Sequence, residues 1–72
     1  MYYDVNISLN GRHFFATADR SITDREKLRQ VLPVLVRSFP RTSGYEISVT
    51  QRIETGHFIN FDKATGVPAF ED

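Results

Sequence analysis

The segment 23–39 carries the one long helical pattern in this chain of 72 residues, and it constrains the fold more than any other feature. Thr23 and Glu26 have the spacing of a capping box, which predicts that the helix begins there. Pro33 lies opposite the apolar stripe and predicts a bend that is convex toward water. The apolar residues recur at the spacing of one helix face: Leu28, Val31, Leu32, Leu35, Val36 and Phe39. Such a helix must bury this face against another layer, which short strands are expected to supply.

A first β-hairpin is predicted before the helix. Residues 2–9 alternate between apolar and polar side chains, as in a half-buried strand. The dipeptide 10–11, Asn-Gly, predicts a type I′ turn, which needs positive φ at both residues. A two-residue loop then sets Ile7 opposite Phe14, and this register places Phe15 on the sheet face away from the helix.

A second hairpin is predicted after the helix. Residues 45–53 alternate again, and residues 54–56 (Glu-Thr-Gly) fit a three-residue loop. That loop sets Arg52 opposite Phe58, so Phe58 also points away from the helix, while Ile59 and Phe61 are buried. Residues 67–70 are then either a fifth, edge strand, because Pro68 excludes a central position, or a frayed tail.

These elements predict a single α+β domain over residues 1–72 with the order ββαββ. The first hairpin occupies 1–20, the helix 21–40, the second hairpin 44–62, and a turn followed by an edge strand or tail 63–72. One helix is expected to pack on one face of an antiparallel four-stranded sheet.

Composition limits the classes of function. The chain has no cysteine, which excludes disulfides and thiolate metal sites. A domain this small without disulfides is most simply cytoplasmic, or else stabilised by self-association. No apolar run approaches the roughly 20 residues of a membrane span, so we expect no membrane contact. The net charge is zero, which argues against strong nonspecific nucleic-acid binding. Basic residues nevertheless concentrate in 12–41, with seven basic and three acidic side chains.

No motif in the sequence predicts catalysis. His13 and His57 have no carboxylate or nucleophile at a spacing that a known motif would explain, and we expect both to be surface or strand-end residues. The four glycines each stand alone in turns, so no phosphate-binding loop is formed. We therefore expect neither an enzyme nor a bound cofactor or metal.

The sheet face away from the helix is the first candidate binding surface. The predicted registers give it exposed aromatic rings, which typically mark contact surfaces. It could mediate self-association, contact a protein partner, or stack single-stranded nucleic acid on Phe15 and Phe58. It could also have no binding role, if a register differs or neighbouring side chains cover the rings. The candidate residues are Tyr2, His13, Phe15, Arg52 and Phe58.

The solvent side of the helix is the second candidate surface. It is basic with an apolar centre, which fits an acidic protein partner or a phosphate backbone. A simpler interpretation is a solvated face with cations near the carbonyl end of the helix. The candidate residues are Lys27, Arg29, Gln30, Val34, Arg37 and Arg41. A weaker candidate is the end of the chain, where Glu71 and Asp72 beside Phe70 could add to a neighbour's sheet edge.

The sequence thus favours a small protein-binding module, either a homodimer or a compact inhibitor or adaptor. Chains of this size are common among accessory proteins of phages and other mobile elements. The alternative is a single-stranded nucleic-acid-binding module that uses Phe15, Phe58 and nearby arginines.

Overall fold

The computed structural model describes residues 1–53 and 55–70, and it confirms the α+β fold with ββαββ element order. The main sheet contains β1 (Tyr2–Leu9), β2 (Arg12–Ala16), β3 (Tyr45–Arg52) and β4 (Gly56–Phe58), all antiparallel in the order β2-β1-β3-β4. The helix, α1 (Arg25–Ser38), packs on one face of this sheet. A two-stranded sheet of β5 (Asn60–Phe61) and β6 (Pro68–Ala69) stands apart from the main one. No helix among the described residues is long and apolar enough to cross a membrane.

The helix has the predicted apolar face but a different cap. Leu28, Leu32 and Val36 are buried, and the other stripe residues pack partly buried against them. The predicted capping box at Thr23 is wrong, because the N-cap is Asp24, whose Oδ1 accepts the Lys27 amide hydrogen bond at 2.7 Å. An aspartate directly before the first helical residue accepts a hydrogen bond from a backbone N–H group that would otherwise be unpaired. Its negative charge also interacts favourably with the positive end of the helix dipole.

The first hairpin has the predicted turn but contains a β-bulge. Asn10 and Gly11 have φ of 52° and 84°, as a type I′ turn requires. Leu9 pairs with Arg12 as predicted, yet Ile7 pairs with Phe15 rather than Phe14, because the register shifts between Ile7 and Ser8. The bulge inserts one extra residue into β2, so that every side chain beyond it changes face.

The second hairpin is shifted by two residues from the prediction. Phe58 pairs with Thr50, not with Arg52, and Arg52 pairs with Gly56. A shift of two keeps each side chain on its predicted face. The predicted loop residue Glu54 lies outside the described residues. The fourth strand ends at Phe58, although the Ile59 amide still donates to the Val49 carbonyl at 2.8 Å.

The core lies between α1 and the two central strands. β1 contributes Tyr3, Val5 and Ile7, and β3 contributes Val49 opposite Val5. Ile22 adds to this core by bridging to Tyr3 just before the helix. Phe61 is also buried, as predicted, and Ile59 packs partly buried against the core.

The last part of the described chain folds back along the helix. β6 pairs with β5, so the predicted fifth strand exists but does not extend the main sheet. The turn between them packs on α1 at Pro33, which is half-buried there and does not face open water as predicted. Phe70 then packs against Tyr3, with ring centroids 5.9 Å apart. The proposed role of Glu71 and Asp72 lies outside the described residues.

Candidate partner-binding surfaces

The face of the main sheet away from α1, called here the open face, carries four of the five residues predicted there. Tyr2 lies opposite Arg52, His13 lies opposite Ser8, and Phe58 lies beside Thr50. Phe58 is 81% exposed and is the most exposed large apolar side chain in the described chain. The structure therefore places an aromatic ring on this face where the sequence predicted one.

The rest of the open face is polar, and some of its side chains contact other side chains of the protein. Arg52 Nε donates to Asp4 Oδ2 at 3.1 Å, and this ion pair joins the two central strands, β3 and β1. Asp4 is buried, and its Oδ1 has no hydrogen-bond partner among the described residues. The guanidinium of Arg20 lies 5.9 Å from the Tyr2 ring centroid. Arg52 and Tyr2 are thus engaged within the fold.

Phe15 lies on the helix side of the sheet, so its predicted place on the open face is wrong. Its ring stacks on Phe39, at the end of α1, with centroids 6.4 Å apart and an interplanar angle of 16°. The cause is the bulge, which directs two consecutive residues, Phe14 and Phe15, to the same side. Phe15 and Phe58 consequently lie on opposite sides of the sheet and cannot stack neighbouring bases of one strand, as the nucleic-acid alternative required.

The bulge instead assembles four aromatic rings into one cluster, called here the aromatic patch: Phe14, Phe15, Phe39 and Tyr45. Phe39 and Tyr45 meet edge to face at 5.2 Å, and Phe14 contacts both, at 5.9 Å and 5.5 Å. Phe14 is 50% exposed and Phe15 43% exposed. Each ring of the patch thus packs against at least one other ring, an arrangement that aromatic pairs favour.

The aromatic patch is large enough to matter energetically. A phenylalanine offers roughly 200 Å² of surface, so two half-exposed rings leave roughly 200 Å² of apolar area in water. Covering that area would contribute about 5 kcal/mol before the costs of association. Sequence reasoning missed this cluster, although the adjacent Phe14-Phe15 pair inside an alternating strand was a signal that the alternation breaks there.

The six residues predicted for the solvent side of α1 lie in three different places. Lys27, Gln30, Val34 and Arg37 are exposed and lie within one stripe of the helical wheel. Arg29 turns toward the end of the described chain, where its guanidinium lies 5.0 Å from the Phe70 ring and 3.5 Å from Glu26. Arg41 follows the helix, in the 3₁₀ turn Arg41–Ser43. The predicted basic surface is therefore reduced to the four-residue stripe, with Val34 48% exposed at its centre.

A groove of about 610 Å³ opens on the helix side beside the end of α1. Its lining combines apolar side chains with charged ones of both signs. The residues that line it are Val36, Phe39, Pro40, Arg41, Thr42, Glu46, Ile47, Phe61, Lys63 and Ala64. This volume lies within the range of sites that hold small molecules or short peptide segments.

The two histidines do not form a joint site. His13 lies on the open face beside Ser8, whereas His57 pairs with Gln51, whose parity in β3 places it on the helix side. No group of three or more potential metal ligands occurs within residues 1–53 and 55–70. The absence of an enzyme activity, a cofactor or a metal stays a prediction.

Comparison with protein-family models, with curated proteins and with solved structures gives no match to this chain.

Proposed function

We propose that this protein acts by binding another protein through the aromatic patch. The observation that supports this most directly is the half-exposure of Phe14 and Phe15, two adjacent rings held in place by Phe39 and Tyr45. Aromatic side chains are enriched at protein interfaces and often anchor them. The cytoplasm is the compartment that we propose, since nothing in a cysteine-free chain depends on an oxidising environment.

The aromatic patch alone is too small for a stable interface, which requires roughly 800 Å² from each partner. The exposed stripe of α1 offers further surface, with Val34 as an apolar contact and Lys27 and Arg37 as cations. We propose a partner that inserts an apolar ridge or pocket against the rings and places acidic groups near the helix. Such contact would let the protein block or recruit its partner, and a second copy of the chain is one candidate.

A matched pair of variants tests this proposal. The Phe14→Ser/Phe15→Ser double variant removes the half-exposed rings of the aromatic patch, and Phe58→Ser removes the more exposed ring of the open face. Circular dichroism would establish that both fold. Sedimentation velocity over a concentration series would then measure self-association, and affinity capture from nuclease-treated lysate would identify other partners.

We expect association or capture to be lost in the double variant and retained in Phe58→Ser. Loss in Phe58→Ser with retention in the double variant would contradict the proposal and assign binding to the open face. Labelled oligothymidine provides the remaining comparison. Binding that falls steeply with salt and requires Phe58 would instead support the nucleic-acid alternative.

A further inference from the structure

One half of β3 has a neighbouring strand on one side only. β3 pairs with β1 along its whole length, whereas it pairs with β4 only over residues 50–52. The chain leaves this edge after the Ile59 amide, which donates to the Val49 carbonyl at 2.8 Å. Residues 45–48 therefore form an open sheet edge within the described part of the chain. Such an edge can accept an added strand.

The hydrogen bonds at the ends of this segment show which backbone groups face the open side. The Val49 carbonyl accepts its hydrogen bond on the β4 side. The Gly44 carbonyl accepts from the Asn10 amide at 2.9 Å, on the β1 side. Because backbone direction alternates along a strand, the N–H and C=O groups of Tyr45 and Ile47 point to the open side. Each of these two residues thus offers a donor and an acceptor to an added strand.

An antiparallel addition would continue the direction of β4 and would end where β3 begins. β4 runs antiparallel to β3, so a segment with the same direction passes Ile47 first and Tyr45 second. The 3₁₀ turn Arg41–Ser43 lies just before β3, separated from it by Gly44. A segment that terminates opposite Tyr45 therefore brings its terminal carboxylate to this turn.

The charged side chains on the helix side at this place are positive. Arg41 and Lys63 line the groove beside α1, and Arg41 forms no ion pair within the described residues. The acidic lining residue, Glu46, lies opposite Ser8, so strand alternation directs its carboxylate to the open face, away from both cations. A terminal carboxylate continues the line of the backbone, so it can meet the cations whichever face the side chains occupy. Such charge-assisted hydrogen bonds are among the strong ones.

The apolar part of the groove indicates which side chains the segment carries. Ile47 faces the helix side, since it lies opposite the core residue Ile7. Residues directly opposite one another in an antiparallel pair share a face, so the segment's residues opposite Ile47 and Tyr45 also face the helix side. These are the third-last and the last residue of the segment, and apolar side chains fit there. The apolar side chains that line the groove include Val36, Phe39, Ile47 and Phe61.

We propose that the open edge of β3 and the adjoining groove bind the free carboxyl terminus of an extended peptide, added antiparallel to residues 45–48. The peptide carries apolar side chains at its last and third-last positions, and its carboxylate lies beside Arg41 and Lys63. Strand addition supplies affinity through backbone hydrogen bonds, while the two apolar side chains and the carboxylate supply selectivity.

This site adjoins the aromatic patch and shares part of it. Phe39 lines the groove, and Tyr45 belongs both to the open edge and to the patch. Phe14 and Phe15 are not among the groove's lining residues, because they belong to β2, which β1 separates from β3. Removing these two rings leaves the groove's lining in place, so peptide binding does not require them.

The probe is the tetrapeptide Ser-Val-Ser-Val with a free carboxylate and an N-terminal fluorescent label, titrated by anisotropy and by two-dimensional amide NMR. We expect a Kd at or below about 1 mM, with chemical-shift changes at the amides of Tyr45 and Ile47. The same peptide with a C-terminal carboxamide should bind at least about tenfold more weakly, because it lacks the charged acceptor. Failure of the carboxylate peptide to bind, or equal binding of the two, would overturn the proposal.

A second peptide of the same composition and charge tests the placement of the side chains. Val-Ser-Val-Ser turns its valines to the open face when its carboxylate occupies the same place, so it should bind at least about fivefold more weakly. Equal binding of both sequences would contradict the fit of apolar side chains in the groove.

N-methylation at single positions tests the strand geometry. The residue opposite Ile47 exchanges both backbone hydrogen bonds with it, so the amide of the third-last residue faces β3 and that of the second-last residue faces away. N-methylation of the third-last valine should weaken binding at least about fivefold, and N-methylation of the second-last serine should weaken it less. Equal or reversed effects would overturn antiparallel addition.

Charge variants of the protein test the carboxylate contact. Arg41→Gln/Lys63→Gln should weaken the carboxylate peptide and leave the affinity of the carboxamide peptide unchanged, a difference that a merely structural effect would not produce. Lys27→Gln/Arg37→Gln removes the same charge from the exposed helix stripe and should change neither affinity. Equal weakening of the carboxylate peptide in both double variants would show that net charge, and not the groove, attracts it.

The Phe14→Ser/Phe15→Ser variant separates this site from binding through the aromatic patch. It should bind the carboxylate peptide normally, even though we expect it to lose association with a protein partner. Peptide binding that disappears in this variant, with its circular dichroism unchanged, would place the contact on the aromatic patch and contradict the groove assignment.

Discussion

Gly66→Ala tests the packing of the 62–67 turn on the helix. Gly66 has φ of +79°, and a Cβ at this position would lie 2.6 Å from Pro33 Cα, 2.9 Å from Pro33 N and 3.0 Å from the Leu32 carbonyl oxygen. All three are backbone atoms of α1, so no side-chain rotation can relieve the contact. The turn must move away from the helix or the helix must deform.

The expected cost has two parts. A left-handed backbone conformation costs an alanine roughly 1–2 kcal/mol, and forcing a methyl group into occupied space typically costs about 1–3 kcal/mol. Together these predict a loss of about 2–5 kcal/mol. The whole domain should have a free energy of unfolding of roughly 4–11 kcal/mol. A Tm decrease of about 10–40 °C is therefore expected.

Gly11→Ala is the matched control. Gly11 has nearly the same φ, +84°, but no atom lies within 4 Å of its added Cβ. Gly11→Ala should therefore lose only the stability that the left-handed backbone conformation costs an alanine. Urea denaturation followed by circular dichroism should find Gly66→Ala less stable than Gly11→Ala by about 1–3 kcal/mol. Equal losses in the two variants would refute the packing of this turn against Pro33.

Three further stability changes can be measured by the same denaturation assay. Asp24→Ala should lower the free energy of unfolding by about 1 kcal/mol and Thr23→Ala should leave it almost unchanged. A larger loss in Thr23→Ala would instead support Thr23 as the N-cap. Arg52→Ala should cost about 1–2 kcal/mol, because it leaves the buried Asp4 carboxylate without its donor, and a double-mutant cycle with Asp4→Asn should reveal the coupling. Additive losses would show that the pair contributes nothing. Phe70→Ala should cost about 2 kcal/mol through its contact with the core, and an unchanged midpoint would show that the ring does not pack.

The features that were predicted correctly depend on local or periodic signals. The helix follows from the spacing of Leu28, Leu32 and Val36, and the first turn from the φ requirements of Asn10 and Gly11. Each signal involves residues that lie next to one another in the folded element. The α+β arrangement then follows, because one amphipathic helix between two hairpins has few ways to bury its face.

The bulge and the early end of β4 could not be predicted in this way. A strand with one extra residue has the same local preferences as a regular one, and its register is decided by packing across the sheet. Here Phe15 stacks on Phe39, which is separated from it by the whole helix in sequence. Phe15 therefore lies on the helix side and not on the open face as predicted. Phe58 lies on the open face as predicted, because the pairing of β4 with β3 differs from the predicted register by two residues.

The width of one helix explains why both proposed surfaces lie beside α1. A helix with its side chains is about 10 Å wide, and neighbouring strands are about 4.8 Å apart, so one helix covers about two strands. α1 covers β1 and β3, whose residues form the buried core. The helix-side residues Phe14 and Phe15 of β2 remain uncovered on one flank and, with Phe39 and Tyr45, form the aromatic patch. On the other flank β4 leaves the sheet early, so the space beside residues 45–48 stays open as the groove. A search for binding surfaces in a four-stranded sheet with one helix should therefore include these two flanks as well as the bare sheet face.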